Sequence, residues 1–367
     1  MHKTSNIIYK INDLSNIKGK LKLACFDLDH TLIKPKQNRV FPKDKDDFIL
    51  WNDRILEKLM DLEQKDYIFV IFTNQQDIIK HADKNKIFEG RMEILKKFNL
   101  FQKFNIIASY KKDYCRKPNT GMFEFLLKKL DRKIDMNNSF YVGDAAGRIK
   151  TSKLKKDFSC SDRMFSHNVL LKFQTPEEFF LGEKPRKYIM EKLSDKLFPQ
   201  VKEEPKSDYL KYNIIFLMAP PASGKSTLSN ELKTLGYKVI NQDTLKTKAK
   251  CVKKMKELLQ NNRDEKVVLD NTNSREEYRK SFTDVLQKLK LSYCLVTINT
   301  NKEQCFFLDN FRCKLQKKER LSDISIHSYF KYRTLPSNEE GFKEIFTLPF
   351  IPEFNSLEEL RIFNQYY

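Results

Sequence analysis

The chain has 367 residues, 40% of them hydrophobic, enough for two domains with cores of their own. Lysine and arginine number 69 against 49 aspartate and glutamate, and the net charge of +20 favours a polyanionic partner such as nucleic acid. Seven scattered cysteines with no Cys-x-x-Cys argue against a disulfide framework or a zinc site, and no apolar run approaches the roughly 18 residues of a membrane span.

The first twenty residues are polar and basic and lack a secretory core, so a soluble intracellular protein is expected. LKLACFDLD (21–29) then reads as a strand, ILEKLMDLEQ (55–64) as a helix, and YIFVIFTN (67–74), FNIIASY (104–110) and SFYVGD (139–144) as further strands, with the amphipathic MFEFLLKKL (122–130) between. From 181 to 208 the pattern weakens to one helix and a proline- and charge-rich stretch. A second alternation follows: YNIIFLMA (212–219), KVIN (238–241), KVVLD (266–270) and SYCLVTIN (292–299). The expected class is α/β, with two domains (1–180 and 209–367) joined by 181–208, each a mostly parallel sheet flanked by helices. In such folds the active residues stand at the carboxyl ends of strands.

Four strand ends of the first half carry chemistry. Asp27 and Asp29 end the first, and strand alternation projects both carboxylates the same way. Two like charges that close repel unless a cation or a reaction uses them. Asp27-x-Asp29-x-Thr31 could also open a calcium loop, but Asn38 stands where such a loop needs glutamate. Thr73 and Asn74 end the second strand, Lys117 precedes a helix in CRKPNTGMF, and Gly143 and Asp144 end the last. The set suits phosphoryl transfer. Asp27 would attack phosphorus and form an aspartyl phosphate. Asp29 would protonate the leaving oxygen and then activate water. Asp144 would help the two hold Mg²⁺, while Thr73, Asn74 and Lys117 bind the phosphoryl oxygens.

MAPPASGKST (218–227) lies between a strand and a helical pattern, and Gly224-Lys225-Ser226 is the core of a phosphate-binding loop. Gly224, Lys225, Ser226 and Thr227 would cradle ATP, with Ser226 on Mg²⁺. Asp243, in INQDTLK, is placed to accept a proton from an attacking hydroxyl, although an aspartate there also suits a helix N-cap. Asp270 ends VVLDNTN, where carboxylates often serve the loop's metal. Arg275 and Arg312 are further candidates for the transferred phosphate, each equally readable as a solvated arginine.

In chain order, FDLDHTLI, VFP, FTNQ, RKPNTGMF, YVGDAAGR and KDFSCSDRMFSHN resemble a haloacid dehalogenase-type phosphatase, and GKST, QDTL, DNTN and LSDISIHSYF with EEGF resemble a P-loop kinase. Together, over roughly residues 20 to 350, they resemble the bifunctional polynucleotide phosphatase/kinase family. The resemblance implies removal of 3′-phosphates and ATP-dependent phosphorylation of 5′-hydroxyls on DNA ends, or RNA ends, with Mg²⁺. It implies the roles given above for Asp27, Asp29, Asp144, Thr73, Lys117, Lys225, Ser226 and Asp243. It also makes Asp162 similar to an acidic residue near the family's phosphatase pocket.

Departures from the pattern are His30, just past Asp27, where the family has glycine; Ala219 and Ala222 in place of two loop glycines; Glu277 in place of a basic residue; and Asn310 in place of one of two arginines. They motivate a second reading, in which only the phosphatase turns over and the kinase half is a degenerate nucleic-acid-binding module. A third is a small-molecule phosphatase fused to a metabolite kinase. Animal members carry a forkhead-associated domain, for which residues 1–20 leave no room, so no phosphopeptide docking is expected. A monomer is expected, more nuclear than cytoplasmic given KLKK (153–156) and VKKMK (252–256).

Overall fold

The computed structural model describes residues 1–76, 78–152, 154–199 and 208–367. Two compact units emerge. The first comprises Met1–Leu193, Cys313–Glu319 and Arg361–Tyr367; the second comprises Ser194–Arg312 and Arg320–Leu360.

In the first unit the elements are β1 (His2–Lys3), β2 (Ile7–Lys10), β3 (Lys22–Phe26), β4 (Ile33–Pro35), β5 (Phe48–Leu50), α1 (Arg54–Glu63), β6 (Tyr67–Asn74), α2 (Ala82–Lys97), β7 (Phe104–Ser109), α3 (Gly121–Leu130), β8 (Phe140–Val142), α4 (Ser161–Asn168) and β9 (Lys172–Gln174). Seven strands form one sheet in the order β1-β2-β7-β6-β3-β8-β9, and β4 and β5 pair separately. From β7 to β9 every pairing is parallel, whereas β1 and β2 run antiparallel at the edge. Those two strands precede LKLACFDLD, which the sequence reading takes as the first strand. β2 is only four residues long, IIYK, too short and too polar at its end to announce itself as a strand, and its pairing with β7 comes from tertiary structure.

Strand alternation divides the core between the two faces of this sheet. Ala24, Phe26, Phe69 and Ile71 face Ile55 and Leu59 of α1 and Phe88 and Met92 of α2. Leu23, Cys25, Val70 and Phe72 face Met122 and Leu126 of α3 and Phe165 of α4. Both faces are covered, as a parallel sheet requires.

The short helix α5 (Leu193–Leu197) falls in the stretch expected to connect the domains; the proline- and charge-rich residues 200–207 lie outside the described residues. The remaining elements are β10 (Ile214–Met218), α6 (Lys225–Thr234), β11 (Lys238–Ile240), α7 (Gln242–Leu245), α8 (Lys248–Asn261), β12 (Val267–Leu269), α9 (Glu276–Lys288), β13 (Cys294–Asn299), α10 (Lys302–Gln316), α11 (Asp323–Tyr332), β14 (Ile345–Pro349) and α12 (Leu357–Phe363). The second unit's sheet is wholly parallel in the order β11-β12-β10-β13-β14. Ile214, Phe216 and Met218 pack on Met255 of α8 and Phe282 of α9, and Ile215 and Leu217 pack on Leu228 and Leu232 of α6. Among the described residues no helix is long and apolar enough to cross a membrane.

Phe26 is fully buried at the last position of β3, within about one ring of Phe104, Phe140, Phe179 and Phe180. Phe26→Ala should cost the first unit about 3–5 kcal/mol. Differential scanning calorimetry checks this, with the transition of the first unit falling and that of the second unchanged.

Candidate active sites

Strand β3 ends at Phe26, but the Asp27 N–H still donates to the Val142 carbonyl at 2.8 Å, so Asp27 is held at the sheet's carboxyl end. The chain then leaves the ladder. His30 adopts a left-handed backbone (φ 55°), normally the territory of glycine, and its ring turns to the Val40 carbonyl at 3.1 Å. Asp29 therefore stands beyond the strand proper, yet its charge still reaches Asp27. The Asp29 carboxylate meets Arg91 Nε of α2, at 2.7 and 3.0 Å, and Gln75 Nε2, at 2.7 Å.

Lys117 is the hub of the site. Its buried ammonium donates to Asp27 Oδ1 at 2.5 Å, Asp162 Oδ1 at 2.7 Å, the Phe72 carbonyl at 2.7 Å and the Tyr141 hydroxyl at 2.8 Å. Asn74 fixes the backbone that carries it: its Oδ1 accepts from the Lys117 N–H at 2.9 Å and its Nδ2 donates to the Lys117 carbonyl at 3.2 Å. Asp162 comes from the first turn of α4, and its Oδ2 accepts the Ala145 N–H at 3.0 Å. Only glycine fits at 143, because an added Cβ would lie 2.6 Å from the Asp162 carboxylate.

The charges act on one another. Burial pushes the Asp27 carboxyl up, Lys117 pulls it down, Asp162 and Asp29 push it up again, and it settles at about 7. Burial, then Asp162 and Asp27, holds Asp144 well above the ordinary carboxylate range. For Lys117 burial opposes the charge, but Asp162 and Asp27 outweigh it and its pKa is raised. Asp27, Asp144 and Asp162 can each bring one carboxylate oxygen within 4.8 Å of the others. No hydrogen bond from a described residue reaches the Asp144 carboxylate. Hard oxygen donors crowded into one buried spot fit a divalent cation. The converging trio thus contains Asp162 where the sequence suggested Asp29.

The second cluster lies at the end of β10. Gly224 caps α6 with φ 86°, and Ala222 adopts φ 66°. The loop therefore keeps a left-handed turn at 222 without glycine, at a cost of roughly 1–2 kcal/mol. Ala219, by contrast, is simply buried. The Lys225 ammonium pairs with the Asp270 carboxylate, while Ser226 and Thr227 are exposed at the helix start. Asp243 is exposed on α7, and the cap of that helix is Asn241, whose side chain accepts from the Thr244 N–H, so Asp243 is not spent on capping. Arg275 packs against the rings of Tyr278 and Tyr332, and Arg312 pairs with Asp309 of its own helix at 2.8 Å. Neither arginine is in the Lys225–Asp270 pair.

Arg91, Gln75 and Tyr141 escaped sequence reading. Gln75 lies inside the FTNQ motif, but Arg91 sits in an ordinary basic helix and carries no local signal.

Because the Asp27 pKa is raised, ionising it opposes folding. In metal-free protein the part of stability owed to Asp27 should decline as pH rises from its ordinary 3.8 through about 7. Asp27→Asn should remove that part, and a divalent cation should offset it in the unaltered protein. Thermal unfolding of both proteins across this range, with and without the cation, checks the sign.

Residues 22–180 match the family model described as polynucleotide kinase 3 phosphatase, and residues 214–307 match one described as an AAA domain. The bifunctional polynucleotide phosphatase/kinase of Schizosaccharomyces pombe is 34% identical over 345 residues, covering 91% of this chain and 81% of that one. The polynucleotide 3′-phosphatase of Saccharomyces cerevisiae is 32% identical over 216 residues, covering 44% of this chain and 88% of that one. With both clusters of charged residues in place and similarity along nearly its whole length, the chain belongs to the bifunctional polynucleotide phosphatase/kinase family.

Proposed function

We propose that this protein heals broken polynucleotide ends, DNA above all: the first unit removes 3′-phosphates, and the second transfers the γ-phosphate of ATP to 5′-hydroxyls. The observation that carries the reading is the buried Lys117 ammonium joined to Asp27 and Asp162 beside Asp144. In the first step an Asp27 oxygen attacks phosphorus, the bond to the 3′-oxygen breaks, and Asp29 gives that oxygen a proton. In the second step water attacks the aspartyl phosphate, Asp29 takes its proton, and Asp27 is released. Lys117 and the Thr73 hydroxyl hold non-bridging oxygens. Gln75 already donates to Thr73 Oγ1 at 2.8 Å, which leaves the hydroxyl proton to be donated onward. Asp27, Asp144 and Asp162 would hold Mg²⁺. When bound, it neutralises the crowded acids and draws charge from the phosphoryl oxygens.

In the second unit, incoming ATP would take Lys225 from Asp270, and the backbone N–H groups opening α6 would face its phosphates. Asp243 accepts the proton of the 5′-hydroxyl, and Ser226 and Asp270 serve the metal. Arg275 and Arg312 remain secondary candidates. The kept left-handed turn at Ala222 favours a working loop over a degenerate one. The basic clusters at 153–156 and 252–256 favour nuclear action.

Two phenylalanines support a polynucleotide substrate. Phe41 and Phe158 are 79% and 104% exposed. Each stands next to a residue tied to the site's loops: Val40 to His30, and Asp157 to the Ala146 and Arg148 N–H groups at 3.3 and 3.0 Å. Exposed aromatic rings beside a basic surface offer stacking platforms for unpaired bases.

Asp27→Ala should abolish 3′-dephosphorylation and spare 5′-phosphorylation, and Lys225→Ala should do the reverse. Assays with labelled ATP and a 5′-hydroxyl oligonucleotide, and with a 3′-phosphorylated one, check this; loss of both activities from one change in a folded protein would contradict the two-site reading. Phe158→Ala should raise KM for the 3′-phosphorylated oligonucleotide by about tenfold, within the roughly 1–3 kcal/mol of one base stack, with kcat little changed. Oligonucleotide binding should weaken with salt with a log-log slope of about −0.7 per neutralised phosphate, whereas a metabolite enzyme would show almost none.

A further inference from the structure

Asp29 is fixed more firmly than a lone carboxylate at a loop needs to be. Arg91 Nε reaches both of its oxygens, at 2.7 and 3.0 Å, and Gln75 Nε2 reaches Oδ2 at 2.7 Å while also holding Thr73 Oγ1 at 2.8 Å. Both partners are themselves anchored. The Arg91 guanidinium lies over the Phe48 ring, 5.0 Å from its centre, and its side chain is 12% exposed. The residue before it, Gly90, has no room for a Cβ, which would lie 2.0 Å from the Lys45 carbonyl oxygen, so α2 is pressed against the segment leading into β5. Gln75 is buried, and its backbone N–H donates to the Ser109 carbonyl at 2.7 Å.

The neighbouring acids would not keep Asp29 in place. The field of Asp29 raises both Asp27 and Asp144, so these carboxylates repel one another, and the Arg91 cation is what offsets that repulsion at Asp29. Proton transfer to or from a leaving oxygen needs a carboxylate held within hydrogen-bond reach in a fixed plane, and an Arg–carboxylate contact sets a plane as well as a distance.

We propose that Arg91, with Gln75, is a positioning residue for the phosphatase reaction: it fixes the plane of the Asp29 carboxylate so that Asp29 exchanges its proton with the departing 3′-oxygen. The inference rests on the reading of the first unit as a 3′-phosphatase in which Asp29 is the acid/base. The contacts of Arg91 are with Asp29 and the Phe48 ring, and it is not among the residues assigned to phosphate or metal. It acts through Asp29, so its removal should harm the step in which a proton is needed and spare the attack of Asp27 on phosphorus.

The test uses two oligonucleotides alike except at the bridging atom of the 3′-phosphate, oxygen in one and sulfur in the other. A thiolate departs with little need of a proton, and an alkoxide needs one. Single-turnover rates of appearance of the 3′-hydroxyl or 3′-thiol oligonucleotide, which report the first step alone, are measured for the full-length protein and for Arg91→Met, which keeps an apolar stem over Phe48, and Arg91→Lys. Arg91→Met should slow the oxygen substrate by about ten- to hundredfold, a part of the roughly 10²- to 10⁴-fold that general acid–base catalysis supplies. It should slow the sulfur substrate by no more than about threefold, and Arg91→Lys should recover part of the loss. Equal slowing on both substrates, or no slowing in a protein that melts normally, overturns the proposal. If the unaltered protein removes phosphate from neither oligonucleotide, it is the 3′-phosphatase reading that fails, and the two failures are told apart by that control.

Discussion

A lysine ammonium almost sealed from water, wedged between two aspartates, is the constraint on which the first unit depends. Burying a charge is tolerable only when it is paired and its hydrogen bonds are filled, and Lys117 meets both conditions with four acceptors. The surrounding sequence reads as provision for that arrangement. Asn74 grips the Lys117 backbone from the neighbouring strand end. Gly143 leaves the space that Asp162 occupies. Tyr141 adds a hydroxyl that accepts from the ammonium and itself donates to Asp162 Oδ1 at 3.1 Å, so the phenol ties the cation to its counter-ion. Breaking such a buried pair by removing one partner typically costs about 3–5 kcal/mol, so structure and chemistry are tied to the same few atoms.

The second unit repeats the device in a looser form. Lys225, opening α6, pairs with Asp270, just past the end of β12, as Lys117 pairs with Asp27, just past the end of β3. In both, an aspartate holds in place the cation that a phosphate would later claim, which keeps the lysine oriented before substrate arrives and limits the reorganisation needed on binding. The difference lies in burial. Lys117 is closed in and bound by four partners, whereas Lys225 stands at an open helix start beside exposed Ser226 and Thr227. On the proposed reading the closed first site serves covalent chemistry on a fixed nucleophile, and the open second one admits and releases a nucleotide.

Much of this was legible in the sequence because the strands are long, apolar and bounded. YIFVIFTN coincides with β6 residue for residue, and the apolar runs before Asp27, Ala219 and Asp270 all became parallel strands. What was not legible depends on contacts between distant segments. IIYK forms a strand only because β7 offers it an edge. Residues 313–319, which fall between the kinase motifs, and 361–367, which follow them, join the first unit, and no periodicity signals that. Asp29 follows a two-residue spacing that suggests a shared face, but the strand has ended by then, and the spacing says nothing of its partners Arg91 and Gln75. Arg91 is one cation among many on a basic chain, and only the fold distinguishes it by bringing α2 alongside Asp29.

The central claim is that phosphate passes through a covalent bond to Asp27. An oligonucleotide labelled in its 3′-phosphate, mixed with the protein and quenched in acid within one turnover, tests it directly by peptide mapping. The account predicts transient label on the peptide containing Asp27, stable in acid and released by hydroxylamine, as an acyl phosphate should be. Label that never joins the protein while phosphate is released, or that joins it at another residue, would contradict it.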